Sequence, residues 1–217
     1  MNIKACIFDL DGVIVDTAKY HYLAWKRLAN EMGFDFTEED NEQLKGVSRV
    51  RSLEILLELG GVKKTAEEQE QLATKKNEWY VEYIVKLKPE EILPGVSKFL
   101  DELNDKGIKI ALGSASKNAK LILDGLNLTG YFDAIIDGTK VSKAKPDPEV
   151  FLKGADELGL QPEECVVFED AQAGVEAAKN GGMPCIGIGT AENLKGADYV
   201  MPGFDGVTFE SLVNKLN

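Results

Sequence analysis

Residues 3–13, Ile3-Lys4-Ala5-Cys6-Ile7-Phe8-Asp9-Leu10-Asp11-Gly12-Val13, decide how this 217-residue chain is read. Residues 3–8 are apolar except for Lys4, and Gly12 marks a turn out of the run, which is the pattern of a buried strand. Side chains two apart in an extended segment point to the same side. Asp9 and Asp11 are therefore expected to face one space at the strand's end. Two carboxylates so placed repel each other unless a cation or a proton intervenes. A hard divalent cation with oxygen ligands, Mg²⁺ above all, answers that need. A solvated turn rich in Asp would carry the same letters, so the stretch needs support from elsewhere in the chain.

Support comes downstream. Gly113-Ser114 follows the apolar run 108–112, Lys145-Pro146 comes after the run 134–136, and Glu169-Asp170 follows the run 165–168. Further strand candidates lie at 134–137, 185–189 and 199–201, with helix-patterned stretches at 95–104, 118–126, 148–158, 171–180 and 208–216. This alternation predicts an α/β fold, a parallel sheet with helices on both faces. Ligands in such sheets collect at the carboxyl ends of the strands, where the polar stations sit. Residues 17–88 differ, since they show helical spacing and no convincing strand. Tyr20, Leu23, Ala24, Leu28 and Met32 form one apolar series. Leu53, Leu56 and Leu57 form another, and Leu72, Lys76, Trp79, Tyr80, Tyr83, Ile84 and Leu87 a third. The expected division is a core made of 1–15 and 92–217, with 16–91 as a helical cap hung on two connections, able to close over the site.

Taken in order, Asp-x-Asp, Ser, Lys and an acidic pair resemble the four signature motifs of the haloacid dehalogenase superfamily. The resemblance runs along the whole chain and implies a Rossmann-like core with an inserted cap. It implies that Asp9 is a nucleophile forming an aspartyl-phosphate and that Asp11 is the general acid and base. Dehalogenases of the superfamily lack a carboxylate at the second place, so Asp11 favours phosphoryl transfer. Ser114 and Lys145 are expected to hold the phosphoryl oxygens. The metal set is expected to be Asp9 and Asp170 with the Asp11 carbonyl, and with Glu169 orienting the site. Each station also has a plainer reading. Lys145 could be a loop lysine, Ser114 a helix cap, and Glu169-Asp170 a helix N-terminus.

The pieces FDLDGVIVDTAKYHYLAW, NEQLKGVSR, IALGSASKN and NLTGYFDAI are similar to the sugar-phosphate mutases of that superfamily. This similarity implies interconversion of β-D-glucose 1-phosphate and D-glucose 6-phosphate, with glucose 1,6-bisphosphate as intermediate and activator. It implies that Arg49, Ser116 and Asn118 hold the non-transferring phosphate, with Lys117 as a weaker candidate. Lys45, Gly46, Val47 and Ser48, read as a turn between helices that runs on to Arg49, would shape the sugar site with Trp25, and Lys76 would reach in from the long cap helix. His21 would couple cap closure to Asp11, although a half-buried helix histidine fits as well. Thr17 is either a helix cap or part of the hinge, and Trp25 is either cap core or pocket wall. A phosphatase of a small sugar phosphate shares every core station and stands as the rival reading.

The net charge of −12 argues against nucleic acid or an anionic membrane as partner. It also requires a locally positive site inside an acidic protein. Cys6, Cys165 and Cys185 sit in apolar surroundings without metal-type spacing, which suits small core residues in a reducing cytoplasm. No signal peptide and no membrane span is read from the sequence. A monomer acting on small sugar phosphates is expected.

Overall fold

The structure, a computed structural model, describes residues 2–44 and 47–216. Among them, six parallel strands form one sheet: β1 (Ala5–Phe8), β2 (Lys109–Gly113), β3 (Ala134–Ile136), β4 (Cys165–Glu169), β5 (Cys185–Ile188) and β6 (Tyr199–Met201). Their order is β3-β2-β1-β4-β5-β6. The order reverses at β1, the centre of the sheet, with β2 on one side and β4 on the other. A crevice opens beyond the carboxyl ends of strands at such a reversal. Register fixes what faces it: Phe8 pairs with Leu112 and with Phe168, so the residues just past each strand, Asp9, Ser114 and Asp170, emerge side by side.

β1 is apolar throughout because both its faces are covered. Cys6 and Phe8 point into one core layer, and Ala5 and Ile7 into the other. On the first side Phe8 stacks on Phe168 with centroids 4.8 Å apart, and Phe99 and Phe204 close around them. The helices α5 (Val96–Asp105), α6 (Ala119–Gly125), α7 (Glu149–Leu158) and α8 (Gln172–Asn180) alternate with the strands from β2 to β5, and α9 (Phe209–Leu216) follows β6. Observed ends lie within one residue of the expected ones, except that β1 begins at Ala5, two residues later.

Between β1 and β2 the chain forms α1 (Ala18–Glu31), α2 (Glu38–Glu42), α3 (Arg49–Leu59) and α4 (Ala66–Ile84). α4 starts on a capping box in which the Thr65 hydroxyl accepts from the Glu68 N–H and the Glu68 carboxylate accepts from the Thr65 N–H. α2 starts the same way, on Thr37 and Asp40. α1 and α4 pack along the aromatic stripe, with Trp25, Trp79 and Tyr80 buried between them and Arg27 lying over the Trp79 ring. The two connections to this helical section touch. Val15 forms an antiparallel bridge with Ile92, and the Leu93 N–H donates to the Ile14 carbonyl at 2.9 Å. Glu91 accepts from Lys19 and from the Tyr20 hydroxyl beside that bridge. No helix among the described residues is long and apolar enough to cross a membrane.

Candidate active site

The expected stations meet in one cleft of about 1380 Å³ between the sheet's carboxyl edge and the helical section. At its floor Lys145, 5% exposed, donates to Asp9 Oδ1 and to Glu169 Oε1, both at 2.6 Å. Lys145 lies in a loop, but its burial between two carboxylates rules out the surface-lysine alternative. Burial alone would lower its pKa, but Asp9 and Glu169 outweigh that and hold the ammonium above the usual lysine range. Of the neighbouring lysines, Lys140 pairs with Glu157, and Lys143 lines the cleft while pairing with Asp147.

Asp9, Glu169 and Asp170 each offer an oxygen within 4.8 Å of the others. That donor set fits a hard cation that takes carboxylate oxygens. Both carboxylate oxygens of Glu169 are engaged. Its Oε1 accepts from Lys145 and its Oε2 from the Ala171 N–H, so it braces the site from behind. The N-cap of α8 is Ala171, so neither acidic residue is that helix's cap.

Two glycines make this packing possible. A Cβ on Gly174 would overlap the Glu169 carboxyl, and one on Gly12, whose φ is +75°, would overlap the Asp170 carboxylate. Gly12→Ala is therefore expected to move Asp170 and strain the turn. Divalent-cation affinity should fall by at least about tenfold. Calorimetric titration with Mg²⁺ checks this, and unchanged affinity would show that Asp170 does not depend on that turn.

Asp11 stands across from Asp9, and its Oδ1 is buried with no hydrogen-bond partner. Burial first, then the like charge of Asp9, pushes its carboxyl from 3.8 up to about 8. The folded protein therefore holds a proton there that the unfolded chain has released, between about pH 4 and pH 8. Its contribution is full at acidic pH and is lost as pH rises through that window. Urea denaturation of the metal-free protein should show less stability at pH 8 than at pH 5. Asp11→Asn should flatten that difference; an unaltered slope would assign it to other groups.

Around Asp11 the helical section supplies a compact polar group. Lys76 is 2% exposed, and its Nζ lies 2.8 Å from His21 Nδ1 and over the rings of Trp25 and Tyr80. Burial, then Lys76 and Arg49, keep the His21 imidazole well below its ordinary pKa. Burial and Arg49 likewise lower Lys76, with Asp11 opposing. Thr17 Oγ1 and the Tyr80 hydroxyl are also buried without hydrogen bonds. Thr17 precedes α1 but does not cap it with its side chain.

On the core side, Ser114 is 1% exposed and its Oγ accepts from the Ser116 N–H. Ser116 Oγ accepts in turn from the Asn118 N–H. Asn118, not Ser114, is the N-cap of α6. Lys117 is exposed at the cleft rim. On the helical side, Val47, Ser48 and Arg49 line the cleft. Arg49 is the first residue of α3 and not part of a turn, because the Ser48 hydroxyl accepts from the Arg51 N–H and starts the helix there. Lys45 and Gly46 lie outside the described residues. Arg49, Lys76 and Lys145 bring basic side chains into the cleft of this acidic chain.

Three contributors escaped the sequence reading. Asn77 lines the cleft and bonds Asn118. Tyr80, read only as cap core, crowds against His21 with centroids 4.0 Å apart. Asn41 is a cleft-lining amide on α2. α2 itself was signalled by Thr37-x-x-Asp40; the other two become visible only in three dimensions.

The haloacid dehalogenase-like hydrolase model matches residues 3–182. The beta-phosphoglucomutase of Bacillus subtilis is 45% identical over 212 residues, covering 97% of this chain and 94% of that protein. The phosphorylated carbohydrates phosphatase of Thermotoga maritima is 34% identical over 83% of this chain and 82% of its own length. The crystal structure of beta-phosphoglucomutase from Clostridium difficile superposes with a TM-score of 0.95 at 43% identity, covering 99% of this chain and 97% of the other. The family match runs unbroken from ahead of Asp9 to beyond Asp170, and so takes in each station that the sheet gathers at its carboxyl edge: the chain belongs to the haloacid dehalogenase-like hydrolase family.

Proposed function

We propose that the protein is a phosphomutase interconverting β-D-glucose 1-phosphate and D-glucose 6-phosphate. The observation that carries this reading is the 45% identity to the Bacillus subtilis enzyme over nearly the whole chain, joined to a cleft with basic and amide side chains on both walls. Residues 1–15 and 92–217 act as the catalytic core, and 16–91 as a cap.

In the cycle, Asp9 carries the phosphoryl group. The 6-hydroxyl of β-glucose 1-phosphate attacks phosphorus, the bond from phosphorus to the Asp9 oxygen breaks, and Asp11 takes the hydroxyl proton. Glucose 1,6-bisphosphate and a free Asp9 carboxylate result. After the bisphosphate turns end for end, Asp9 attacks the 1-phosphate. The bond to the C1 oxygen breaks, and Asp11 returns the proton to that oxygen. Glucose 6-phosphate leaves, and Asp9 is phosphorylated again. Lys145 and Ser114 hold the transferring group, while Arg49, Ser116 and Asn118 hold the other phosphate. Asp11 begins each half-reaction correctly placed but needs opposite protonation states in the two, and its raised pKa puts both within reach near neutrality. Asp9 and Asp170 would hold Mg²⁺ with the Asp11 carbonyl, supplying charge neutralisation to the transferring phosphoryl group.

The rival reading, a sugar-phosphate phosphatase, draws on the Thermotoga maritima relative, and the two differ in where the phosphoryl group goes. The protein is to be incubated with β-glucose 1-phosphate, Mg²⁺ and a trace of glucose 1,6-bisphosphate, following glucose 6-phosphate and inorganic phosphate together. Glucose 6-phosphate with little inorganic phosphate is expected. Inorganic phosphate without glucose 6-phosphate would make the protein a phosphatase.

A further inference from the structure

Asn118 occupies the N-cap of α6, yet its side chain makes no capping bond. An N-cap asparagine ordinarily turns its side-chain oxygen onto the helix's free N–H groups. Here the side chain points the other way. Its Nδ2 donates to Asn77 Oδ1 on α4 at 2.9 Å, crossing from the core to the helical section. Both residues are partly buried and both line the cleft. Asn77 also directly follows Lys76, which is 2% exposed.

The polarity of this contact matters. A side-chain amide has an acceptor end and a donor end with two N–H groups. Only the donor end is attractive to a phosphate. An acceptor on Asn77 requires Asn118 to present its NH₂, so one N–H goes to Asn77 and the second remains available to the cleft. Without Asn77, Asn118 is free to turn its oxygen to the cleft or back onto α6. The contact also spans two units whose covalent links lie at Val15 and Ile92, so it exists only while they are apposed.

We propose that Asn77 is a positioning residue for the non-transferring phosphate: its side-chain carbonyl holds the Asn118 amide with an N–H toward the cleft, and ties that orientation to apposition of cap and core. The proposal rests on Asn118 serving that phosphate, as read above. Asn77 acts through Asn118, so its removal weakens sugar-phosphate binding without touching the acid–base chemistry.

The test is a double-mutant cycle of the parent protein, Asn77→Ala, Asn118→Ala and the double variant. Each is titrated calorimetrically with glucose 6-phosphate and assayed with β-glucose 1-phosphate. Asn77→Ala is expected to weaken binding and raise KM about three- to tenfold, with kcat within about twofold of the parent. Asn118→Ala should lose at least as much, and the double variant no more than Asn118→Ala alone. Parent-like binding in Asn77→Ala, or losses that simply add in the double variant, would overturn the proposal. Binding and turnover separate the two readings. A parent that binds glucose 6-phosphate but releases only inorganic phosphate sinks the mutase, while the cycle of dissociation constants still decides Asn77. A parent that binds no glucose 6-phosphate overturns both.

Discussion

Asp9→Asn is expected to abolish turnover, with a loss of at least about 10⁴-fold in kcat, and to leave the fold in place. The amide supplies no nucleophilic oxygen of useful strength and no charge for a cation. It is nearly the same size, and its remaining oxygen can still accept from Lys145, which keeps Glu169 as a buried ionic partner. Thermal melting should therefore stay close to the parent while labelled phosphate no longer becomes attached to the chain. Turnover within about tenfold of the parent would remove Asp9 from the centre of the mechanism.

Lys145→Ala is expected to be costly in both stability and activity. Asp9 and Glu169, 7% and 1% exposed, would face each other with no cation between them. Leaving buried charge uncompensated costs about 3–5 kcal/mol. The pH dependence follows from the same contact. Without Lys145, burial raises the Glu169 carboxyl pKa in the folded state unopposed, so the folded protein holds a proton that the unfolded chain gives up. The deficit should be small at acidic pH and grow as pH rises above the ordinary carboxylate range. Urea denaturation of the metal-free variant and parent at pH 5 and pH 8 measures it. Equal midpoints at pH 8 would mean that the lysine is dispensable to the fold. Mg²⁺, by restoring positive charge near Asp9, should recover part of the lost stability but not the turnover.

The core of this molecule was legible because its physics is local. Strands covered on both faces read as short continuous apolar runs, and each run from β1 to β6 was found within a residue or two. The carboxylates, serine and lysine beyond these runs stood out as polar residues after apolar stretches and by their order along the chain. The helical section was readable as helices through its aromatic stripe, but α2 was passed over because it has five residues and one buried position, Asn41. Arg49, expected in a turn, proved to be the first residue of a helix, since Ser48 caps that helix well ahead of Leu53, where its apolar series begins. Asn77 and Tyr80 could not be assigned from periodicity. What distinguishes them is a partner 41 residues away in the first case, and a hydroxyl buried without a partner in the second.

The bridge between Val15 and Ile92 has a mechanical consequence. Two separate tethers would let the helical section swivel, slide and twist over the sheet. Hydrogen-bonded to each other, they form a narrow two-stranded ribbon, which bends readily across its face and resists shear along its length. A cap of the kind proposed above would thereby be restricted to swinging about one line. Each return of such a cap would bring Lys76, Arg49 and Asn77 back over the same atoms of the core, with the alignment of the two walls set by a few backbone contacts at the connections.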